Sequence, residues 1–177
     1  PQATGSYIVH RLDMSTSGLM VLTLTKRAQK NIQQQFINRT IKKRYVAILE
    51  GKVAGEIESI LKNNSGEINL PLRGDFEDKP KQLVCFEQGK KAKTQWEVIG
   101  LVEGKSKLYL YPETGRTHQL RVHCAHPLGL NLPILGDDLY GRSNRLTLDG
   151  MTDTQVKRLY LHAEMLTLRH PITKEVV

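Results

Sequence analysis

The sequence predicts an α+β fold with a mixed, largely antiparallel central sheet and a few flanking helices. Short runs of β-branched, aromatic and aliphatic residues recur along the chain and outnumber the amphipathic helical segments. Neighbouring runs follow one another like the arms of hairpins. The 177 residues are 39% hydrophobic and 25% charged, which is the composition of one globular domain large enough to bury a core. We therefore expect residues 1–177 to form a single domain.

The first predicted elements are a strand, a helix and a second strand. Residues 18–25 are apolar and rich in β-forming residues, so we expect a buried strand there. Residues 26–38 have the pattern of an amphipathic helix, and Thr25 can cap its start. The apolar residues of this helix lie four apart: Ala28, Ile32 and Phe36. Alternation over residues 43–49 predicts the second strand.

The rest of the chain continues the same mixture. Residues 59–82 combine Asn, Gly, Pro and charged residues, and we expect a long segment with weak structure. The turn Glu103-Gly104 separates two strand-like runs, and His126-Pro127 ends a helix-compatible run. The remaining predicted elements are strands over residues 94–99 and 107–111, a helix over residues 117–125 and a strand over residues 159–168.

The net charge of +8 is unevenly distributed. Residues 10–52 contain nine basic and two acidic side chains, whereas the remainder of the chain is close to neutral. Clustered cations are what phosphate binding requires, so the segment favours a nucleic-acid footprint, although a solubilising face has the same composition.

The two cysteines, Cys85 and Cys124, are too few for a disulfide framework and indicate a reducing cytoplasm. No apolar run in the sequence reaches the length of a membrane span, and we expect no secretory leader.

Residues 10–19 form the first constellation that could support chemistry. Arg11 and Asp13 lie two residues apart and share a face if the chain is extended. The hydroxyls of residues 15–17 can brace a loop, and Gly18 permits a bend or a close approach. A carboxylate on a braced loop suits nucleophilic or base catalysis. The alternative is an ordinary turn with a surface salt bridge, which is a common arrangement.

A second constellation joins three cations to an aromatic residue. Lys42, Lys43 and Arg44 precede Tyr45, and alternation places Lys43 and Tyr45 on one face of the predicted strand. This pattern fits a phosphate-binding rim leading to a stacking platform, or a half-buried strand tyrosine with a charged edge.

A third constellation spans residues 114–123. On a helix, Thr117 and Arg121 lie on a polar face. The group of His118, His123, Cys124 and His126 does not have the spacing of a tetrahedral zinc set, so structural histidines are the preferred interpretation.

These segments resemble the RluA family of pseudouridine synthases. Residues 10–19, His-Arg-Leu-Asp-x-x-Thr-Ser-Gly-Leu, are similar to the family signature, and residues 114–123 match its third motif almost letter for letter. The family isomerises uridine in RNA by detaching the base and rejoining it through carbon. The resemblance extends from His10 to Pro171 and is greatest to the compact branch that acts on both 23S rRNA and tRNA anticodon loops.

The resemblance implies roles for the site residues. Asp13 is expected to be the catalytic aspartate, which either attacks the sugar or abstracts a ribose proton. Tyr45 is expected to stack on the target base, and Arg121 is expected to pair with Asp13. Arg11 is expected to enter the RNA beside the flipped nucleotide. The expected RNA-binding residues are Arg11, Lys42, Lys43, Arg44, Arg116 and His118.

The resemblance also implies the partners. We expect a cytoplasmic, monomeric enzyme that acts on 23S rRNA or tRNA and needs no metal and no organic cofactor, because the reaction is an isomerisation. DNA and membrane partners are not expected. The family carries an earlier strand region with a Lys-Pro dipeptide, so we expect this catalytic domain to lack its N-terminal strands.

Two other functions fit parts of the sequence. One is a non-catalytic RNA-binding module, which would not require Asp13, Tyr45 and Arg121 together. The other is a glycosidase-like hydrolase with paired carboxylates, which lacks a second acid within a motif.

Overall fold

The protein is built around a six-stranded mixed sheet. A computed structural model describes Ala3 and residues 5–53, 64–142 and 158–177. The strands are β1 (Tyr7–Ile8), β2 (Ser17–Gly18), β3 (Leu22–Thr23), β4 (Lys42–Ile48), β5 (Ser65–Asn69), β6 (Leu72–Gly74), β7 (Gln82–Val84), β8 (Lys93–Val102), β9 (Lys105–Pro112) and β10 (Leu161–Thr167). The two helices with described bounds are α1 (Lys26–Ile37) and α2 (Gln119–Ala125).

The strand order in the central sheet is β2-β10-β4-β9-β8-β5. Strand β2 runs parallel to β10, and the other neighbouring pairs are antiparallel. The short pairs β1-β3 and β6-β7 lie outside this sheet. The predicted fold class, a mixed and largely antiparallel sheet with few helices, is confirmed.

Helix α1 follows its sequence pattern closely. The hydroxyl of Thr25 accepts the backbone N–H of Ala28 at 3.2 Å, which satisfies one of the free donors at the helix start. Ile32 on the apolar face is buried against Ile41 and Leu168, which connect α1 to the sheet. The predicted cap and helix are both confirmed.

The predicted buried strand over residues 18–25 is wrong. The segment contains the last residue of β2 and all of β3, which are separate strands because β2 pairs with β10 whereas β3 pairs with β1. Four of its apolar side chains are about half exposed: Leu19, Met20, Leu22 and Leu24. An apolar run identifies a β-forming segment, but it does not show which face another part of the chain covers.

The predicted weak structure over residues 59–82 is wrong for residues 65–69 and 72–74, whereas residues 75–81 form bends and turns. Residues 65–69 form β5 against β8, and residues 72–74 form β6 against β7. The polar composition of β5 conceals a strand whose partner lies nearly thirty residues further along the chain, whereas β6 pairs with the nearby β7. Residues 59–63 lie outside the described part of the chain.

The main core lies between one face of the sheet and α2. Its fully buried side chains come mainly from the centre of the sheet and from α2: Ala47, Leu49, Leu108, Leu110, Leu120, Cys124 and Leu161. The helix begins at Gln119, two residues later than predicted, because His118 adopts a left-handed conformation with φ 52°. Within the described residues, no helix is long and apolar enough to cross a membrane.

Candidate active site

A cleft of about 350 Å³ opens beside the ends of β4 and β9. Its walls come from the segment before β2, from α1, from β4 and from the segment that leads into α2. It contains Asp13, Lys43 and Tyr45, and the apolar side chains of Leu120 and Leu161 line it as well. The cleft therefore combines the three sequence constellations, which are far apart along the chain.

The loop that carries Asp13 is anchored on both sides. The backbone N–H of Thr16 donates to the carbonyl of Asp13 at 2.9 Å, which closes a turn. The chain then enters β2, where Gly18 has φ +119° and a Cβ placed there would lie 2.2 Å from the carbonyl oxygen of Ala163. Only glycine fits this approach, as the sequence predicted. The carboxylate is thus presented by a loop with little freedom to move.

Tyr45 and Lys43 lie on the face of β4 that lines the cleft. Burial raises the pKa of Tyr45, and the nearby charge of Asp13 raises it further, so the phenol stays protonated. The ammonium of Lys43 donates to the carbonyl of Thr114 at 3.2 Å. Burial lowers the pKa of Lys43, and the charge of Arg39 adds to this effect.

The three cations before Tyr45 do not form one continuous rim. Strand alternation places Lys42 and Arg44 on the opposite face of β4 from Lys43. Arg44 there pairs with Glu164 at 2.7 Å, and its guanidinium lies 4.4 Å from the ring centre of Tyr109. Of the three cations, Lys43 lines the cleft.

Gln119 fixes the segment that leads into α2. Its amide oxygen accepts from the hydroxyl of Thr114 at 2.7 Å and from the backbone N–H of Arg116 at 3.0 Å. Its amide nitrogen donates to the carbonyl of Lys93 at 2.9 Å and to the hydroxyl of Thr94 at 3.0 Å. The four hydrogen bonds of this buried side chain therefore join the cleft wall to β8.

His123 continues this network into the core. Its Nε2 faces the carbonyl of Leu70 at 3.1 Å and its Nδ1 faces the hydroxyl of Thr94 at 2.9 Å. A carbonyl can only accept, so Nε2 carries the proton and Nδ1 accepts from Thr94. Burial lowers the pKa of His123, which keeps the ring neutral. Both ring nitrogens are therefore used in structure, which supports the structural interpretation of this histidine over a metal ligand.

The expected ion pair between Arg121 and Asp13 is wrong. Arg121 instead makes two hydrogen bonds to Asp137, at 2.8 and 2.5 Å, and one to Asp138 at 2.7 Å. Its side chain is 3% exposed and that of Asp137 is fully buried. The turn that contains Asp137 docks on α2, and its carboxylate binds the guanidinium there.

His118 connects this buried pair to the site. Its Nδ1 lies 2.9 Å from the hydroxyl of Tyr140, which also accepts the backbone N–H of Gln82 at 2.8 Å. Burial raises the pKa of Tyr140 to about 12, so its hydroxyl keeps the proton. Burial lowers the pKa of His118, and the charge of Asp13 opposes that shift. His118 is thus within electrostatic reach of Asp13 while Tyr140 holds its ring.

Two further predicted residues line the cleft. Arg11 is exposed, and Arg116 donates from Nε to the carbonyl of Lys91 at 3.0 Å. The sequence interpretation missed Gln119 and Tyr140 as organising residues. Gln119 lies inside the third constellation, whose spacing could have identified it. Tyr140 is distant in sequence, and no local pattern points to it.

Among the described residues that line the cleft, Asp13 is the one carboxylate. The arrangement is a carboxylate beside a neutral aromatic ring, with cations at the entrance, which suits chemistry on an unstacked base of a nucleic acid. Residues 2–126 match the family model described as RNA pseudouridylate synthase. The chain belongs to this family. Its members are isomerases.

Relatives of this RNA pseudouridylate synthase agree with the family model. The chain is 43% identical over 169 residues to the dual-specificity RNA pseudouridine synthase RluA of Haemophilus ducreyi. The match covers 95% of this chain and 69% of the relative. It is 42% identical over 172 residues to the protein of the same name from Escherichia coli K12, covering 97% and 69%. The human RNA pseudouridylate synthase domain containing 1 superposes with a TM-score of 0.75 at 33% identity, covering 98% and 67%.

Proposed function

We propose that the chain converts uridine to pseudouridine in structured loops of both 23S rRNA and tRNA. The observation that carries the proposal is the cleft that combines Asp13, Tyr45 and Lys43. The names of the relatives support two classes of substrate, because those proteins are described as dual-specificity synthases. The cationic segment before β5 supports a polyanionic partner.

The reaction rearranges bonds without changing composition. The bond between N1 of uracil and C1′ of ribose breaks, the base turns, and C5 bonds to C1′. The hydrogen on C5 leaves as a proton, and N1 gains a proton, so no oxidant or reductant is consumed. Asp13 is the residue we assign to the bond-breaking step, either by attack on the sugar or by abstraction of a ribose proton. Both routes need an ionised, fixed carboxylate.

Tyr45 is the residue we assign to the target base. A neutral aromatic ring beside Asp13 offers a stacking surface to a base that has left its helix. Arg11, exposed at the entrance, would fill the gap that the base leaves in the RNA. Lys43 and Arg116 would bind phosphates, and Arg121 and His118 would position the wall through Asp137 and Tyr140.

The hydrolase alternative has less support. A paired-carboxylate mechanism needs a second acid about 5 to 10 Å from the first. The described residues of the cleft include only Asp13 as a carboxylate.

A binding module without catalysis would have no use for a carboxylate among phosphates, because it repels them.

The test uses short transcripts of a 23S rRNA loop and of a tRNA anticodon stem-loop that carry tritium at C5 of uridine. Formation of the C5–C1′ bond releases the tritium, and carbodiimide-dependent primer extension locates the product. We expect release from both RNAs and none from their DNA counterparts. Release from one class alone would refute dual specificity, and release from neither would refute the proposed activity.

Two accompanying proposals concern the protein as a whole. We propose that it acts as a monomer in the cytoplasm. Light scattering should give the mass of one chain for the protein alone and of one chain plus one RNA for the complex. Fractionation of cells should place the protein in the cytoplasmic fraction.

A further inference from the structure

A second cleft, of about 300 Å³, lies next to the one that contains Asp13. Its volume is at the lower end of the range for small-molecule sites, which is about 300 to 1,000 Å³. The two clefts share part of their lining: Phe36, Lys43, Thr114, Gly115 and Arg116. They are therefore neighbours separated by a common wall.

The second cleft has a positive lining. Arg39 lines it together with the shared cations Lys43 and Arg116. Its one described acid, Glu113, forms an ion pair with Lys93 at 3.2 Å and accepts from Gln95 at 3.0 Å. Lys93 also pairs with Glu67 at 2.8 Å, so it offsets only part of the charge of Glu113. Three cations against this one partly paired carboxylate leave the lining positive.

Lys43 is the central residue of the shared wall. Its ammonium has one described partner, the carbonyl of Thr114, which leaves two N–H groups for a ligand. Burial lowers its pKa, as expected for an ammonium that faces no carboxylate. A ligand with negative charge would supply the missing counter-charge at this point.

The shared wall also has an apolar part. Phe36 lines both clefts, and Ile37 and Ile41 line the second one. An aromatic ring and aliphatic side chains suit the flat face of a base, whereas the cations suit a phosphate. Two nucleotides that are joined in a strand have one phosphate between them. If they occupied the two clefts, that phosphate would lie at the shared wall.

We propose that the second cleft binds the nucleotide adjacent to the target uridine, and that Lys43 and Arg116 bind the phosphodiester that joins the two. This inference rests on the proposed function and adds a subsite to it. The adjacent base lies against Phe36 and the exposed side chain of Ile37, and Arg39 contacts the outer side of its backbone.

The experiment tests the contribution of one RNA phosphate to KM at a time. Tritium-labelled stem-loops are made with a single neutral methylphosphonate at the linkage on the 5′ or on the 3′ side of the target uridine. With the parent enzyme, one of these two substitutions should raise KM about tenfold, the effect of about one charge-assisted hydrogen bond. With Lys43→Gln, KM for the normal substrate should rise similarly, and the same methylphosphonate should then have no further effect.

Lys105→Gln is the matched control, because it removes one cation at the far end of β9 from the cleft. It should leave the methylphosphonate effect at about tenfold. Arg116→Gln repeats the test if Lys43→Gln does not fold, because the hydrogen bond of Arg116 to Lys91 is exposed whereas that of Lys43 to Thr114 is partly buried. The variant Lys43→Gln and the methylphosphonate could instead raise KM independently, so that their effects multiply at both linkages. That result would refute the proposed subsite. If the parent enzyme releases no tritium from the normal substrate, the proposed function is what fails.

Discussion

Arg121 and Asp137 form a buried, two-point ion pair that joins α2 to the turn after Ile134. Nε of Arg121 donates to Oδ2 at 2.8 Å, and Nη2 donates to Oδ1 at 2.5 Å. Oδ1 also accepts the backbone N–H groups of Leu139 and Tyr140. Because Tyr140 contacts His118, this carboxylate holds both the turn and the ring that lies near Asp13.

Asp137→Asn is expected to destabilise the protein by about 3 to 5 kcal/mol, because it leaves the buried guanidinium of Arg121 without full compensation. Urea unfolding followed by circular dichroism measures the change. Asp138→Asn provides the control, since its side chain is 66% exposed and the cost should be below about 1 kcal/mol. Equal costs for the two variants would contradict the importance of the buried pair.

Asp13→Asn is expected to lower pseudouridine formation by at least about 100-fold while RNA binding changes little, because the amide keeps the size but not the charge of the carboxylate. Tritium release measures the first effect, and filter binding measures the second. Asp78→Asn, at an exposed position in the loop before β7, is the control and should retain activity. Normal turnover by Asp13→Asn would remove the carboxylate from the mechanism.

Replacements of Tyr45 should distinguish the contribution of its ring from that of its hydroxyl. Tyr45→Phe keeps a stacking surface, so KM should stay within about threefold of the parent value. Tyr45→Leu should raise KM by about tenfold, since base stacking on an aromatic ring contributes about 1 to 3 kcal/mol. Steady-state kinetics on the anticodon stem-loop makes the comparison. A large loss of kcat in Tyr45→Phe would instead assign the hydroxyl a direct role.

Gly18→Ala is expected to lower both stability and activity. The new Cβ would meet the carbonyl of Ala163, and the backbone strain at φ +119° alone costs about 1 to 3 kcal/mol. Gly100→Ala is a matched control, because Gly100 also has positive φ but nothing lies within 4 Å of its Cβ. Thermal unfolding and kcat are measured for both variants. A larger effect at Gly100 would show that the contact between β2 and β10 is not what requires glycine.

His123 should make folding sensitive to acid. Its pKa in the folded protein is lowered from 6.5 by burial, so the unfolded chain binds a proton at a higher pH than the folded chain does. The contribution of the neutral ring is complete above about pH 6.5 and decreases as the pH falls toward the lower folded-state pKa. The unfolding temperature is measured between pH 8 and pH 5.

His123→Gln should give a flatter pH profile in that experiment, because the amide does not titrate. His170→Gln, in the turn after β10, is the control for loss of a histidine. A profile as steep in His123→Gln as in the parent protein would assign the acid sensitivity to other groups.

The sequence predicted the parts of the fold that local patterns encode. The spacing of Ala28, Ile32 and Phe36 predicted α1, and its cap at Thr25 is present. The alternation before Leu49 and around Glu103-Gly104 predicted β4, β8 and β9. Each of these patterns depends on neighbours within a few residues, and that information is complete in the sequence.

What the sequence did not predict depends on distant partners. The strand at residues 65–69 is polar, and it exists because β8 pairs with it. The exposure of Leu22 depends on which segment covers β3, and the partner of Arg121 depends on where the turn at Asp137 docks. A motif identified Arg121 as important, but only the three-dimensional structure identified the carboxylate that it binds.

The parallel contact between β2 and β10 also has a consequence for how the protein is made. Ser17 and His162 are 145 residues apart, and their pairing anchors the loop of Asp13. A ribosome adds about 5 to 20 residues per second, so about 7 to 30 s pass between the synthesis of these two strands. During that interval the loop has no partner on β10. A nascent chain therefore cannot complete the anchored loop of Asp13 until β10 has left the ribosome.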